Sequence, residues 1–240
     1  MLFCFAGWAL AAMLGLLILP RVYPRLILRL PSIRQDEWNQ VVAGRKAALA
    51  AAPWRDSRPL HVFAGDSHIE MGNWYELFGG ACAVRNCGLS SATIQEVTTL
   101  VEAIPDRNPE TVVLMCGINN LGRDEPVERC VADYERLLAA ARALKPRKII
   151  VLSVMPVRQS PVDQSSRKLN QAVFALDERL EKLCGLHNAV FVNANGAVTN
   201  DSGGLAGELT TDGLHLNGRG YLKIAEVIRG HLTGEATGQK

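Results

Sequence analysis

Short apolar runs alternate with longer amphipathic stretches along most of the chain, and this alternation constrains the fold more than any other feature. Five apolar runs predict buried β-strands, at residues 60–64, 81–84, 111–116, 148–154 and 189–193. Helical patterns lie near residues 93–103, 127–144, 165–184 and 217–232. Strands that alternate with helices form a parallel sheet covered on both faces. The sequence therefore predicts an α/β fold, a three-layer α/β/α sandwich around a parallel five-stranded sheet.

Polar turn residues follow three of the predicted strands. The first run ends in GDS, which contains Ser67, and the second is followed by NCG, which ends in Gly88. The third is followed by GINN, which contains Asn119. Because the carboxyl ends of parallel strands form the ligand crevice of such folds, we expect these three residues to meet at one edge of the sheet.

A distant D-x-x-H pattern supplies an acid and a base. Asp212 and His215 are three residues apart, so one turn places both side chains on the same side. A serine hydroxyl attacks only if a base removes its proton, and a carboxylate keeps a histidine in the tautomer that does so. We therefore predict Ser67 as nucleophile, His215 as base and Asp212 as its orienting acid.

Acyl transfer also needs hydrogen-bond donors aimed at the developing oxyanion. Gly88 can offer a backbone N–H with no side chain in the way, and Asn119 can offer its amide NH2. The backbone N–H of Ser67 is the third candidate. These three residues form the predicted oxyanion hole.

With these motifs in order, the chain resembles the SGNH (GDSL-type) hydrolases. The four blocks read GDSHIE, NCGLSSATI, GINNLG and DGLHLN, and the resemblance covers roughly residues 59–232. The stretch around GINNLG looks most like the platelet-activating-factor acetylhydrolase-like branch. The resemblance implies a flavodoxin-like catalytic domain at 59–240 that needs neither an organic cofactor nor a metal. It assigns Ser67, Asp212 and His215 to catalysis, with Gly88 and Asn119 in the oxyanion hole.

Two positions depart from the common family pattern. His68 stands where many members have leucine after GDS, and Asn120 stands where many have aspartate. Neither change removes a catalytic group, but both residues lie next to one.

Other interpretations of the same residues are weaker. GDS and D-x-x-H each occur as ordinary turns or helix starts, and only their joint order favours catalysis. Ile69 breaks the G-x-S-x-G elbow of the α/β-hydrolases. Asp66, His68 and Glu70 alternate as metal ligands can, but no second histidine lies at ligand spacing. Cys116 ends an apolar run, which favours a buried packing role.

The N-terminus predicts a membrane anchor. Residues 2–19 carry no charge, and their number approaches the ~20 needed to cross a bilayer. No basic n-region precedes them and no small-residue cleavage site follows before Arg21, which favours an uncleaved anchor over a cleaved or interfacial segment. We therefore divide the chain into an anchor with a basic juxtamembrane segment at 1–34, a linker helix at 35–58 and the catalytic domain.

The side of the membrane is predicted from charge. Arginines 21, 25, 29 and 34 all follow the apolar segment, which favours a cytoplasmic catalytic domain. The six cysteines show no disulfide framework, in agreement with a reducing compartment. The alternative is an exported, periplasmic domain, as is common among family members with such segments. A net charge of +2 gives no reason to expect a nucleic-acid partner.

The predicted function is hydrolysis of a carboxylic ester through an acyl-enzyme on Ser67. Only about 20 residues separate Ser67 from Gly88, too few for a lid domain, which favours short or exposed acyl groups on a small-molecule, lipid or sugar alcohol. Acyl transfer to another alcohol and a catalytically silent, acyl-binding module are the alternatives. The sequence leaves the oligomeric state open.

Overall fold

The computed structural model of the chain describes residues 35–53, 58–78, 82–160 and 162–233. The predicted anchor and basic segment at 1–34 therefore lie outside the described residues. Within the described ranges, no helix combines the length and the apolar character that crossing a bilayer requires.

Strands and helices alternate as expected. The strands are β1 (Leu60–Gly65), β2 (Ala83–Gly88), β3 (Thr111–Met115), β4 (Lys148–Leu152) and β5 (Val190–Val192). The longer helices are α1 (Gln35–Ala51), α4 (Ile94–Glu102), α6 (Val127–Ala143), α7 (Gln164–Leu186) and α8 (Gly218–Thr233). Three short helices also follow strands or turns: α2 (Ser67–Glu70), α3 (Trp74–Leu77) and α5 (Ile118–Gly122).

The second strand differs from its prediction at 81–84. Polar residues Arg85 and Asn86 belong to β2, which runs on to Gly88. Arg85 is buried because its guanidinium pairs with Asp106, and Asn86 donates to the Ile69 carbonyl at 2.9 Å. The hydropathy pattern placed the end of this strand too early, because a strand tolerates polar side chains whose hydrogen-bonding groups have buried partners.

All five strands are parallel, in the order β2-β1-β3-β4-β5. This is the flavodoxin-like order, and its switch point lies at β1, where successive connections leave in opposite directions. Gly65 at the end of β1 pairs with Gly88 on one side and Met115 on the other. Three strand ends therefore lie side by side, and the prediction of a parallel five-stranded sheet is confirmed.

Helices cover both faces of the sheet. Val62 and Ala64 point to the face covered by α1, α4, α6 and α7, whereas Phe63 points to the face covered by α3 and α8. This alternation follows from the two-residue repeat of a strand. Each face therefore buries its own apolar core, and both cores hold the strand ends in place.

The helix predicted as a linker packs on the edge of the sheet. In α1, Leu49 is buried, and its carbonyl accepts a hydrogen bond of 2.6 Å from Arg85. Arg45 donates to the Asn86 carbonyl at 2.9 Å, and the Trp38 indole donates to Glu96 in the first turn of α4. Because β2 is an edge strand, α1 covers backbone groups that would otherwise be exposed.

A buried carboxyl group in α7 secures the segments that follow β4 and β5. Asp177 accepts the Val154 N–H and the Asn195 side-chain amide, both at 2.8 Å. Burial raises the pKa of Asp177 to about 8, although the two hydrogen bonds favour the ionised form. Between about pH 4 and about pH 8, Asp177 therefore keeps its proton in the folded protein, whereas the same carboxyl group is ionised in the unfolded chain.

This linkage predicts that Asp177→Asn stabilises the protein at alkaline pH. When folding raises the pKa of a carboxyl group, the free energy of unfolding falls as pH rises, here between about 4 and about 8. Asparagine keeps an acceptor for Val154 and cannot ionise, so the variant should match the parent near pH 4 and melt several degrees higher at pH 8. Melting curves followed by circular dichroism check this, with exposed Asp201→Asn as the control. A difference that does not change with pH would contradict the assignment.

Candidate active site

Ser67 is the first residue of the one-turn helix α2, directly after β1. Asp66 caps this helix, its carboxylate accepting the His68 N–H at 3.0 Å. Gly65 allows the turn to press against β3, since a Cβ there would lie 2.0 Å from the Met115 carbonyl oxygen. A Cβ on Gly88 would lie 2.3 Å from the Glu70 nitrogen. Both glycines are therefore required sterically, because helix α2 lies directly on two strand ends.

The structure brings Ser67, His215 and Asp212 into one hydrogen-bonded chain. His215 Nε2 lies 3.0 Å from Ser67 Oγ, and His215 Nδ1 lies 2.7 Å from Asp212 Oδ2. The other carboxylate oxygen, Oδ1, accepts the N–H groups of Leu214 and His215 at 2.9 and 2.8 Å. The acid and base thus share one turn, as their three-residue spacing predicts.

Asp212 is held in its ionised form. Partial burial opposes ionisation, but hydrogen bonds from the His215 ring and from the N–H groups of His215 and Leu214 outweigh it and lower the pKa of Asp212. An ionised acceptor keeps a proton on Nδ1 of His215. Nε2, which faces Ser67, is then free to accept the serine proton.

Asn119 lies in α5, just after β3, and among the described residues one of its amide hydrogens has an acceptor. Its Nδ2 donates to the Ala92 carbonyl at 2.9 Å, which leaves a second hydrogen for another acceptor. The strand end beneath it is fixed by the buried Tyr134 hydroxyl, which donates to the Cys116 carbonyl at 2.7 Å and accepts the Cys116 N–H at 3.1 Å. Gly117 takes a φ of 130°, a conformation that favours glycine.

The Gly88 N–H, predicted as an oxyanion donor, already has an acceptor in this structure. It donates to Asn86 Oδ1 at 2.9 Å, so an oxyanion would have to share or replace that bond. Neighbouring N–H groups are also engaged, those of Leu89, Ser90 and Ala92. Among the described residues, the structure shows no acceptor for the Ser91 N–H, and Ser91 takes a φ of 64°. Ser91 lies in an exposed turn, and its N–H is a hydrogen-bond donor that the motifs did not indicate.

The two departures from the family pattern have structural partners. Asn120 is fully buried: Oδ1 accepts the Ile94 N–H at 3.0 Å, and Nδ2 donates to Gln95 at 3.0 Å and to Glu125 at 2.5 Å. It therefore ties the start of α4 to the Asn119 turn. His68 is also buried and contacts the Leu214 carbonyl at 3.0 Å.

The weaker alternatives do not assemble a site. His68 lies 3.4 Å from Asp66, whereas the Glu70 carboxylate turns away to Ser90. Among the described residues, no group of three metal-ligating side chains converges. Burial raises the pKa of the Cys116 thiol, in keeping with its predicted packing role.

A five-stranded parallel sheet and a hydrogen-bonded chain of Ser67, His215 and Asp212 are together typical of a hydrolase. The family model described as GDSL-like lipase/acylhydrolase matches residues 63–223. The chain therefore belongs to the GDSL-like lipase/acylhydrolase family, and the resemblance seen in its motifs is confirmed.

Similar proteins include esterases and acylhydrolases. The chain is 28% identical over 183 residues to the human platelet-activating factor acetylhydrolase IB subunit alpha2, covering 72% of this chain and 76% of that protein. A candidate platelet activating factor from Streptococcus pneumonia superposes with a TM-score of 0.71 at 24% identity, over 82% of this chain and 93% of the other. An acetylxylan esterase from Geobacillus stearothermophilus superposes at 0.57 with 17% identity, over 74% and 95%. These two structures share the fold.

Proposed function

We propose that the protein is a serine esterase that cleaves short-acyl carboxylic esters through an acyl-enzyme on Ser67. The observation that carries this proposal is the continuous hydrogen-bonded chain from Ser67 Oγ through His215 to Asp212, with contacts of 3.0 and 2.7 Å. Each group faces the atom with which it must exchange a proton or share a charge, as the serine mechanism requires.

In the acylation half, Ser67 Oγ attacks the ester carbonyl carbon while His215 Nε2 takes its proton. The carbonyl π electrons move onto oxygen, where the free amide hydrogen of Asn119 and the backbone N–H groups of Ser67 and Ser91 are the proposed donors. Asp212 stabilises the imidazolium. The carbon–oxygen bond to the alcohol then breaks, and His215 returns the proton to the leaving alkoxide.

Deacylation repeats the same proton transfers with water. His215 removes a proton from water as the water oxygen attacks the acyl carbon, and the acid product leaves when Ser67 Oγ takes the proton back. No step requires a group that these residues lack. The proposal therefore uses the triad and the oxyanion donors alone.

A short acyl group is favoured by the relatives and by the local chain. The acetylhydrolase relative and the acetylxylan esterase neighbour are both named for removing acetyl groups. The segment between β1 and β2 holds only the short helices α2 and α3 in its described part, which leaves little chain for an acyl-covering lid. A series of p-nitrophenyl esters from acetate to decanoate tests this, and turnover should be highest for the shortest acids. A rate that rises with chain length would overturn the short-acyl proposal.

The nucleophile assignment predicts that Ser67→Ala abolishes hydrolysis without loss of folding. Removal of a triad nucleophile costs on the order of 10⁶ in turnover. A fluorophosphonate probe should label the parent protein at Ser67, as located by peptide mass spectrometry, and should fail to label the variant. The variant must keep the parent's melting temperature. Substantial turnover by a purified Ser67→Ala protein would contradict both the assignment and the esterase mechanism.

The oxyanion assignment predicts a loss confined to turnover. Asn119→Ala should lower kcat by roughly 10²–10³, the range for one lost donor, because the developing charge is no longer stabilised. KM should change little, since the donor acts mainly on the transition state. Steady-state kinetics separate the two, and melting curves serve as the control because the bond to Ala92 is also lost. Normal kcat in a less stable protein would show that Asn119 is only structural.

We also propose that residues 2–19 anchor the protein in a membrane and that the catalytic domain faces the cytoplasm. The uncharged run and the arginines after it support this topology. Trp38, in the first turn of α1, donates to Glu96, and Glu96 also accepts the Thr93 N–H just after the Ser91 turn. Helix α1 therefore begins near the loop that carries Ser91. Residues 20–34 reach at most roughly 50 Å, so the crevice would stay close to the bilayer.

The anchor proposal predicts that the full chain sediments with membranes. A chain that begins at Asp36 should remain in the supernatant with unchanged kcat on p-nitrophenyl acetate, because every proposed catalytic residue follows α1. Fractionation and kinetics check this, and alkaline phosphatase fused to the C-terminus reports the side. Phosphatase activity would indicate an exported domain, and a full chain that stays in the supernatant would overturn the anchor.

A further inference from the structure

Helix α2 carries two polar side chains that the proposed mechanism does not use. His68 directly follows the proposed nucleophile, and Glu70 ends the helix. The two side chains contact different loops on the two sides of Ser67. One loop carries the proposed acid and base, and the other carries the Ser91 N–H.

His68 connects the nucleophile helix to the acid–base loop. The residue is 1% exposed, and its Nε2 lies 3.0 Å from the carbonyl of Leu214, which stands between Asp212 and His215 in the chain. A carbonyl only accepts hydrogen bonds, so Nε2 is the donor. The ring centre lies 5.7 Å from that of His215.

This contact differs from the other hydrogen bonds of the acid–base loop. Gly213 accepts the Arg158 N–H at 2.8 Å, and Thr210 donates to the His215 carbonyl at 2.7 Å. Those bonds hold the loop to itself and to the segment after β4. Within the described part of the chain, two side-chain hydrogen bonds join this loop to the helix of Ser67. One is the His215–Ser67 contact, and the other is the contact of His68 with Leu214.

Glu70 connects the same helix to the loop of Ser90 and Ser91, here called the oxyanion loop. Its Oε2 accepts the Ser90 N–H at 2.7 Å and the Ser90 hydroxyl. The next residue, Ser91, takes the left-handed φ of 64°, and its carbonyl accepts Arg123 at 3.1 Å. A residue other than glycine keeps such a conformation only when its surroundings impose it. Glu70 thus holds the N–H and hydroxyl of the preceding residue, Ser90, and Arg123 holds the Ser91 carbonyl.

We propose that His68 and Glu70 are positioning residues, which set the acid–base loop and the oxyanion loop respectively against Ser67. This inference rests on the proposed esterase mechanism. One turn of helix thereby presents the nucleophile and fixes both of its partners. The leucine common after GDS has no donor for the Leu214 carbonyl, so this chain uses a polar contact at a position that is otherwise apolar.

The test uses paired substitutions that remove or keep each hydrogen bond. His68→Leu removes the donor, whereas His68→Gln keeps an N–H near the position of Nε2 without a titratable ring. Glu70→Met removes the acceptor, whereas Glu70→Gln keeps an oxygen for the Ser90 N–H. For each full-length variant, kcat and KM on p-nitrophenyl acetate are measured across pH, together with the melting temperature.

We expect His68→Leu and Glu70→Met each to lower kcat about 3- to 10-fold, the equivalent of one hydrogen bond, with KM within about twofold. The titratable groups facing His215 are Asp212 on its own loop and His68 on α2, with Asp66 beside His68. Loosening of the Asp212–His215 pair by His68→Leu should move the acidic limb of the profile to lower pH. Glu70→Met should leave that limb unchanged, and both glutamine variants should behave as the parent.

A second readout separates the two loops by double substitution. Glu70→Met combined with Asn119→Ala should lose less than the product of the single losses, because both act on the oxyanion, whereas His68→Leu with Asn119→Ala should be multiplicative. Lower melting temperatures with parental kcat in both removal variants would overturn the proposal. A pH shift in His68→Gln equal to that in His68→Leu would also overturn it, since ring charge would then be the cause. If Ser67→Ala retained activity, the esterase mechanism itself would fail, which is a separate result.

Discussion

The register of three adjacent parallel strands is the constraint on which the site depends. Gly65 pairs with Gly88 and with Met115, so the ends of β1, β2 and β3 lie at the same level. The loops that follow are thereby brought within hydrogen-bond range of one another. A shift of one residue in either pairing would invert the faces of that strand and separate Ser67 from its proposed oxyanion donors.

The register is in turn maintained by two apolar cores and by a few buried polar groups at the strand ends. Tyr134 satisfies the backbone of Cys116 on one face, while Trp74 and Phe63 stack with ring centres 4.9 Å apart on the other. Interiors packed in this way resist small displacements. Helix α2 therefore rests on a rigid support, and that support fixes the position of Ser67 at the end of β1.

The proposed acid and base come from a different part of the chain, and other hydrogen bonds hold them in position. Asp212 and His215 belong to a loop after β5, the strand farthest from β2, and the sheet does not align this loop directly. Its position depends on hydrogen bonds from Arg158, Thr210 and His68. Because a few hydrogen bonds hold this loop, single substitutions there can change its geometry without unfolding the domain.

Local sequence patterns explain one part of this protein, and contacts between residues distant in the chain explain the rest. The alternation of apolar runs, the four motifs and the three-residue spacing of Asp212 and His215 are local patterns, so the sequence alone determined the fold class, the family and the triad candidates. Local patterns could not show that Asn86 occupies the Gly88 N–H, that Ser91 takes a left-handed φ, or that α1 packs on the edge of β2. Those features arise from contacts between residues far apart in the chain or from backbone geometry imposed by neighbouring loops. Only the tertiary structure decided them, because only folding brings such groups together.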